Sequence, residues 1–397
     1  MAHIVLAWEL GGGFGHLSRL YALTKELLAA GHQITLIARH KEKACSFFSP
    51  LCQQLNNIRY VQAPYYKGHL PNHLEQTPAY VHVLFNVGYG HPDVLNRLVA
   101  NWYQVLCELQ PDMIITDHAP TALMVSRDMG IPRINFGDGF TCPAPEYPLS
   151  QLHESLSTDA IKSDERYVVE YCNKALAIQG ISPINQLADI YQVNETFLMT
   201  LAELDHLGKR PQVFYGGIPE SERNGSPPQW PDIHGPKIFA YLKVQKHLDS
   251  QLKSIAETGL PAVVYIPEIS PRLQRQYSNT NLMLTNQPVH IGDALENAQL
   301  VISHGGHQLA AECLQAGVAQ LHLPLHLEQQ LLSNRCQQTG CSLTAPPSEF
   351  ASVLPIALEN LNSLSGQAKQ LADQLHKTTT THPLGRCMAL IEYWLTS

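Results

Sequence analysis

Short apolar runs alternate along the chain with longer stretches of helical periodicity, and glycine or proline separates them. The run from His3 to Trp8 is followed by a glycine-rich loop, then by leucines at helical spacing from His16 to Ala30, then by a second run, Ile34 to Ala38. A buried parallel strand has a continuous apolar sequence, whereas an amphipathic helix repeats its apolar positions with the helical period. The pattern therefore predicts strand, loop, helix, strand, which is typical of a parallel α/β sheet.

A second unit of the same kind lies near residue 300. The run Leu300 to Ile302 precedes Gly305 and Gly306, helically spaced apolar residues continue to Gly317, and a further run covers Val318 to Leu323. This order predicts strand, glycine turn, helix, strand. The free N–H groups at the start of the helix would point into the turn and favour an anion there.

The remaining apolar runs extend both sheets. They predict further strands at 111–117, 131–136, 197–201, 212–215, 237–242, 262–266 and 281–284. Residues 216–236 are rich in Gly, Pro and Ser without periodicity, which predicts an interdomain linker. The chain is thus divided into a first domain over 1–215, the linker 216–236, a second domain over 237–380 and a C-terminal helix over 381–397.

Composition narrows the class of protein. With 397 residues there is room for two or three domains, because single cores stop growing near about 250–300 residues. The formal net charge of −8 argues against a nucleic-acid partner. The early run Ile4 to Ala7 is too short for a signal or membrane-spanning segment, and the nine cysteines contain no close CxxC pair. We therefore expect a cytoplasmic protein with reduced thiols and no integral membrane segment.

The stretch around residues 300–329 resembles the donor-binding signature of the UDP-glycosyltransferases with the GT-B fold. That signature has His-x-Gly, a Glu eight residues after the His, Gly-Val, Pro, and an acidic residue before Gln. The corresponding residues here are His304, Gly306, Glu312, Gly317-Val318, Pro324 and Glu328-Gln329. The resemblance implies an α/β protein of the GT-B class, in which two Rossmann-like parallel-sheet domains face a cleft.

The resemblance assigns the acceptor to the first domain and the donor site to the second, and it implies that the C-terminal helix crosses back to the first domain. His304, Gly305 and Gly306 would lie against the diphosphate, where an imidazole N–H and the helix N-terminus offset the charge of the leaving group. Glu312 would accept hydrogen bonds from the ribose hydroxyls.

Glu328 and Gln329 would bind adjacent sugar hydroxyls, or simply begin a helix. The nucleobase of the donor would be recognised by backbone groups at Pro288 and Val289, because Asn286 stands where the family has a stacking aromatic residue.

The N-terminal loop carries the expected catalytic group. The resemblance makes His16 of Gly15-His16 the general base, a role that suits an imidazole, and places Gly13 and Gly15 among the donor-binding residues. Asp117, at the end of its predicted strand, would hold His16 in one tautomer. Alternatives stay open: His16 or Asp117 as a helix cap, and Asp138 as the partner of His16. The glycine run is a poor dinucleotide fingerprint, because its last position is His16.

Further positions depart from the family pattern. Leu309 replaces a Ser or Thr that contacts phosphate, Ala319 replaces a Pro, and Ala240-Tyr241-Leu242 stands where the family has Gly-Ser or Gly-Thr. The histidine pair at 322 and 326 could suggest a metal, but a proline lies between them and no carboxylate cluster completes a site. We expect no metal and no cofactor.

The resulting hypothesis is an inverting, metal-independent glycosyltransferase that moves a sugar from a UDP- or dTDP-sugar, with UDP favoured, to an acceptor hydroxyl. The aromatic-rich segment 64–110 indicates a flat or apolar acceptor, either a small molecule or lipid-like, although aromatic-rich segments also simply pack cores. Two alternatives remain: a sugar-nucleotide 2-epimerase of the same fold, and a catalytically silent partner protein that binds sugar nucleotides.

Overall fold

The computed structural model describes residues 1–52, 58–68, 70–211, 213–219, 225–277, 281–378 and 382–397, and it contains two compact units. The first unit comprises Met1–Thr200, Lys209–Pro219 and Thr380–Ser397, and the second comprises Leu201–Gly208 and Glu220–Thr379. Within the predicted linker, residues 220–224 lie outside the described residues. The same holds for Gln212, the start of a predicted strand, and for Thr381, the start of the predicted C-terminal helix.

Within the described residues, the first unit has a seven-stranded sheet in the order β3-β2-β1-β4-β5-β6-β7, and all pairs are parallel. The strands are β1 (His3–Trp8), β2 (Gln33–Ala38), β3 (Ile58–Gln62), β4 (Met113–Asp117), β5 (Arg133–Gly137), β6 (Glu195–Leu198) and β7 (Phe214–Tyr215). The helices are α1 (Phe14–Ala29), α2 (Lys41–Phe47), α3 (Ser49–Cys52), α4 (Tyr80–Leu84), α5 (Pro92–Leu109), α6 (Pro120–Val125) and α7 (Thr158–Ile178).

Apolar periodicity explains why α1 covers the sheet. Leu20, Leu23 and Leu27 follow one another at helical spacing, and all three are fully buried in one cluster with Ile4 and Leu6 of β1. This packing fixes α1 over β1. It therefore fixes the loop that joins them at the carboxyl edge of the sheet.

The second unit has a six-stranded parallel sheet among its described residues, in the order β10-β9-β8-β11-β12-β13. Its strands are β8 (Ile238–Tyr241), β9 (Ala262–Tyr265), β10 (Leu282–Thr285), β11 (Leu300–Ser303), β12 (Ala319–His322) and β13 (Ser342–Thr344). Its helices are α8 (Leu248–Glu257), α9 (Pro271–Gln276), α10 (Ile291–Asn297), α11 (His307–Ala316), α12 (Leu327–Gln338), α13 (Phe350–Glu359) and α14 (Leu361–Thr378).

The last helix, α15 (Gly385–Thr396), belongs to the first unit. Cys387 and Ile391 are fully buried in the same core as β1 and α1, and the indole Nε1 of Trp394 donates to Glu195, 3.1 Å away. Each unit is a parallel sheet with helices between its strands, which confirms the predicted α/β architecture of two Rossmann-like domains.

Each sheet changes direction at one point. In the first, the chain runs outward from β1 to β3 and then returns to β4 on the other side of β1; in the second, it returns from β10 to β11 beside β8. Open α/β sheets bind ligands at such switch points, outside the carboxyl ends of the strands. A ligand site is therefore expected at the loops after β1 and β4 in the first unit, and at the loops after β8 and β11 in the second.

Candidate functional site

His16 and Asp117 meet at the switch point of the first unit. Asp117 is the last residue of β4 and is paired in register with Trp8, the last residue of β1. His16 lies in the first turn of α1, directly after the loop that leaves β1. Its Nδ1 is 2.9 Å from Oδ1 of Asp117, and both side chains are buried. The two residues that sequence reasoning paired, 101 positions apart, are therefore in direct contact.

The capping alternatives do not match this geometry. The N-cap of α1 is Gly13, and that of α6 is Ala119. The His16 imidazole instead bonds to Asp117, and the Asp117 carboxylate bonds to side chains. Gly13 thus begins the helix with extended backbone, and Gly15 follows inside its first turn.

Arg19 joins Asp117 to Asp138, and sequence reasoning missed it. Its Nε and Nη2 lie 3.3 and 3.2 Å from Oδ2 of Asp117, and its Nη1 lies 2.8 Å from Oδ2 of Asp138. Oδ1 of Asp138 accepts the amides of Phe140 and Thr141, both at 3.0 Å. The spacing from His16 to Arg19 places both on one face of α1, which was the available signal.

The buried side chains of His16, Arg19, Asp117 and Asp138 form a charged cluster. Burial alone would raise the pKa of Asp117, but the Arg19 guanidinium and His16 hold that pKa below its ordinary value. The two carboxylates raise the pKa of Arg19 against the effect of its own burial. The charge of the Arg19 guanidinium balances only one of the two carboxylates. If His16 takes up a proton, the positive charge of its imidazolium would be balanced by the second carboxylate.

The second nitrogen of His16 points towards the loop. The imidazole stacks on Trp8 with ring centroids 5.2 Å apart, and a side chain at Gly11 would overlap Nε2. Gly11 has φ +84°, a conformation that glycine adopts readily. The ring of His118 also stacks on the imidazole, with centroids 6.1 Å apart; burial and the neighbouring His16 lower the pKa of His118 to about 3, so His118 is neutral. Packing thus holds the imidazole in one orientation.

In the second unit, the glycine turn opens the N-terminus of α11. Gly305 has φ +70°, and a side chain there would overlap Oγ of Ser333. Gly306 is the N-cap of α11 and is exposed; among the described residues nothing lies within 4 Å of a Cβ placed on it. The glycine turn thus gives the ten-residue helix α11 an exposed N-cap without a side chain, and the first N–H groups of an α-helix have no partner within the helix.

His304 differs from the expectation. Its Nδ1 donates to the carbonyl of Leu323 at 2.8 Å, and its Nε2 accepts the amide of Lys243 at 3.0 Å. Burial lowers the pKa of His304, consistent with a neutral ring. With both nitrogens engaged, the imidazole joins the loops after β8, β11 and β12 and does not present an N–H to a ligand. The N–H of His304 that was expected to contact phosphate is therefore already bonded to the carbonyl of Leu323.

The remaining predicted donor residues are found on α11 and the neighbouring loops. Glu312 is half-buried on α11, and its Oε1 accepts from Nε2 of Gln308 at 2.7 Å. Gln329 is buried in the first turn of α12, where its Oε1 accepts the amide of Leu325 at 2.9 Å, while Glu328 beside it is half-exposed. The side-chain oxygen of Gln329 is therefore used to shape its own loop.

Pro288 and Val289 lie against a short segment of the chain before β8. The amide of Ser226 donates to the carbonyl of Pro288, and the amide of His290 donates to the carbonyl of Ser226, each at 2.9 Å. These two bonds form a parallel bridge between Ser226 and Val289. The amide and carbonyl of Val289 itself take no part in that pair of bonds.

Within the described ranges, no three His, Cys, Asp or Glu side chains come together as a metal-binding group. Of the helices that the structure describes, none is long and apolar enough to cross a membrane.

The sequence matches no protein-family model and no curated protein. The structure is nevertheless similar to solved glycosyltransferases over its whole length. The calicheamicin glycosyltransferase CalG4 has a TM-score of 0.71 at 16% identity, with 100% of this chain and 98% of CalG4 covered. VinC in complex with DTDP has a TM-score of 0.67 at 14% identity, with 99% of each chain covered.

The Streptomyces sp. SF2575 glycosyltransferase SsfS6 has a TM-score of 0.66 at 16% identity, with 98% of this chain and 100% of SsfS6 covered. At such identities the likeness establishes the fold. The two parallel-sheet units have the GT-B architecture of these proteins.

Proposed function

We propose that the protein is an inverting glycosyltransferase that moves a sugar from a UDP- or dTDP-sugar to an acceptor hydroxyl. The observation that carries the proposal is the 2.9 Å contact between His16 and Asp117 at a sheet switch point in a chain with the GT-B fold. The similar solved structures are those of glycosyltransferases, and two of them are complexes with thymidine diphosphate.

In the proposed reaction, Nε2 of His16 accepts the proton of the acceptor hydroxyl as its oxygen bonds to the anomeric carbon. The bond from that carbon to the diphosphate breaks, and its electron pair leaves on the diphosphate oxygen. Attack on the face opposite the leaving group inverts the configuration. Asp117 keeps the proton of neutral His16 on Nδ1, so that Nε2 is free to act as the base, and it stabilises the imidazolium that forms.

The N-terminus of α11 supplies the proposed diphosphate site. The N–H groups of its first turn and its positive dipole end would favour the charge that develops on the leaving group, a role that needs no metal ion. Glu312 would accept hydrogen bonds from the ribose, and Glu328 from the sugar. Gly306 allows the close approach of phosphate because it has no side chain.

The test combines substitutions with a donor screen. His16→Ala should lower kcat by about 10²–10⁴, the usual range for a general base, while leaving the affinity for UDP or dTDP nearly unchanged. Asp117→Asn should cause a smaller loss through the wrong tautomer. His3→Ala is the matched control, because His3 lies at the opposite end of β1, where its Nε2 contacts Oγ1 of Thr35.

Turnover is followed as nucleotide release from the donor, with and without EDTA. Loss of activity in EDTA that Mg²⁺ or Mn²⁺ restores would contradict the metal-independent mechanism. Wild-type turnover in His16→Ala would exclude His16 as the base. Nucleotide binding without any turnover by the wild-type protein would favour the silent sugar-nucleotide-binding protein instead.

A further inference from the structure

A pocket of about 290 Å³ opens in the first unit, with Glu9 and Leu10 of the loop after β1 in its wall. Glu9 and Arg39, the residues that follow β1 and β2, form one wall, so the pocket lies at the carboxyl edge of the sheet. Its volume is close to the lower end of small-molecule sites, about 300 Å³. The loop after β1 links the pocket to His16: Leu10 lines the pocket, and the next residue, Gly11, lies against Nε2 of His16.

Arg39 brings an unbalanced positive charge to this pocket. Its guanidinium lies 4.3 Å over the Tyr65 ring, and its Nη1 donates to the backbone carbonyl of Glu9 at 2.8 Å. Among the residues that the structure describes, no carboxylate forms an ion pair with it. The ammonium of Lys67 lies 5.4 Å from the same ring and adds positive charge. A half-buried guanidinium with free N–H groups is suited to a bidentate carboxylate.

Glu9 does not supply the missing counter-charge by contact. Its carboxylate accepts the amide and the hydroxyl of Thr121, at 2.9 and 2.6 Å, and burial raises the pKa of Glu9 to about 7. Near neutral pH the side chain therefore carries only part of a negative charge, and its oxygens already accept hydrogen bonds from Thr121 in the first turn of α6.

The other walls are aromatic and aliphatic. Tyr65, Tyr66, Leu70 and Leu98 line the space around the guanidinium. Such walls bury a flat ring, and tyrosine faces stack on aromatic ligands. The pocket therefore combines one anion-binding group with apolar walls. Such a pocket selects a ligand that carries both a negatively charged group and an apolar ring.

We propose that this pocket binds a hydroxylated aromatic acid, with the ring between the tyrosine and leucine side chains and the carboxylate paired with Arg39. The inference rests on the proposed function and names the acceptor class for it: the hydroxyl of such an acid is the group that His16 would deprotonate. The carboxylate selects and holds the acceptor and is not consumed.

The first test needs no variant and no donor. Calorimetry on the full chain compares 4-hydroxybenzoate with its methyl ester, which keeps the ring and the hydroxyl but has no charge. The acid is expected to bind at least about tenfold more tightly, the usual effect of a charge-assisted hydrogen bond. Equal affinities, or no detectable binding of either compound at millimolar concentration, would overturn the proposal.

The second test assigns the effect to Arg39. Arg39→Met should remove the preference for the acid, Arg39→Lys should retain part of it, and thermal unfolding reports whether each variant is folded. Arg59→Met is the control, because Arg59 carries the same charge on the exposed face of β3. Unchanged acid preference in Arg39→Met would refute the assignment, as would competition by inorganic phosphate at equal strength, since a plain anion site would then explain the binding.

These outcomes are separable from those of the proposed function. Acid binding that depends on Arg39 supports the pocket assignment even in a protein without sugar transfer. Conversely, sugar transfer to neutral acceptors alone would leave the mechanism at His16 in place and exclude the acidic acceptor.

Discussion

Replacing Glu9 by Gln should stabilise the protein at neutral and alkaline pH. The Glu9 carboxyl is almost fully buried, and burial raises its pKa from 4.5 to about 7. A folded-state pKa above the unfolded value means that the folded protein binds this proton more tightly. The stability contributed by the protonated group is therefore complete below pH 4.5 and is lost as the pH rises through 7.

The magnitude follows from the same shift. A difference of about 2.5 pKa units, at 1.36 kcal/mol per unit, corresponds to about 3 kcal/mol of unfolding free energy lost between pH 4.5 and alkaline pH. Glutamine has the shape of the protonated acid: its Oε1 can accept the amide of Thr121, and its Nε2 can donate to the Thr121 hydroxyl, which also contacts Tyr89 at 3.0 Å.

The assay is urea unfolding of wild type and Glu9→Gln between pH 4 and 8.5, with the first unit followed through its buried Trp8 and Trp102. The variant should match the wild type near pH 4 and exceed it by up to about 3 kcal/mol at pH 8.5. Glu26→Gln, at an exposed position of α1, is the control and should keep the pH profile of the wild type. A gap between Glu9→Gln and wild type that stays constant with pH would refute the reasoning.

Two further substitutions test the candidate sites. Gly11→Ala should lower turnover by about 10²-fold without changing donor affinity, because the added Cβ would displace Nε2 of His16. Gly12→Ala is the control, because the space around Gly12 is open. Normal turnover in Gly11→Ala would count against Nε2 of His16 as the base. Glu312→Ala should raise the Kd for UDP or dTDP at least about tenfold with little effect on thermal stability, and unchanged affinity by calorimetry would remove Glu312 from the donor site.

The sequence predicted the parts of the fold that are encoded locally. β1, β4 and β11 follow from continuous apolar runs, and α1 follows from its leucine spacing. β3 and β13 were not predicted, because Ile-Arg-Tyr-Val-Gln and Ser-Leu-Thr are short and partly exposed edge strands whose pairing is set by their neighbours.

Contacts between distant residues were only partly predictable. The resemblance anticipated that His16 and Asp117 would meet, and the register of β1 with β4 shows how. The role of Arg19 depends on where β5 places Asp138, and the bonds of His304 depend on three loops brought together by the second sheet. Neither arrangement is indicated by any periodic pattern of residues in the sequence.

The position of α15 has a consequence for how the protein is made. Cys387 and Ile391 complete the core of the first unit, yet the ribosome adds them after every residue of the second unit. Domains generally fold in the order of their synthesis, at about 5–20 residues per second. Here the first sheet must wait with part of its core uncovered while the whole of the second unit is made. The second unit can therefore finish folding before the first, which reverses the usual order and leaves apolar surface of the nascent first unit uncovered for longer.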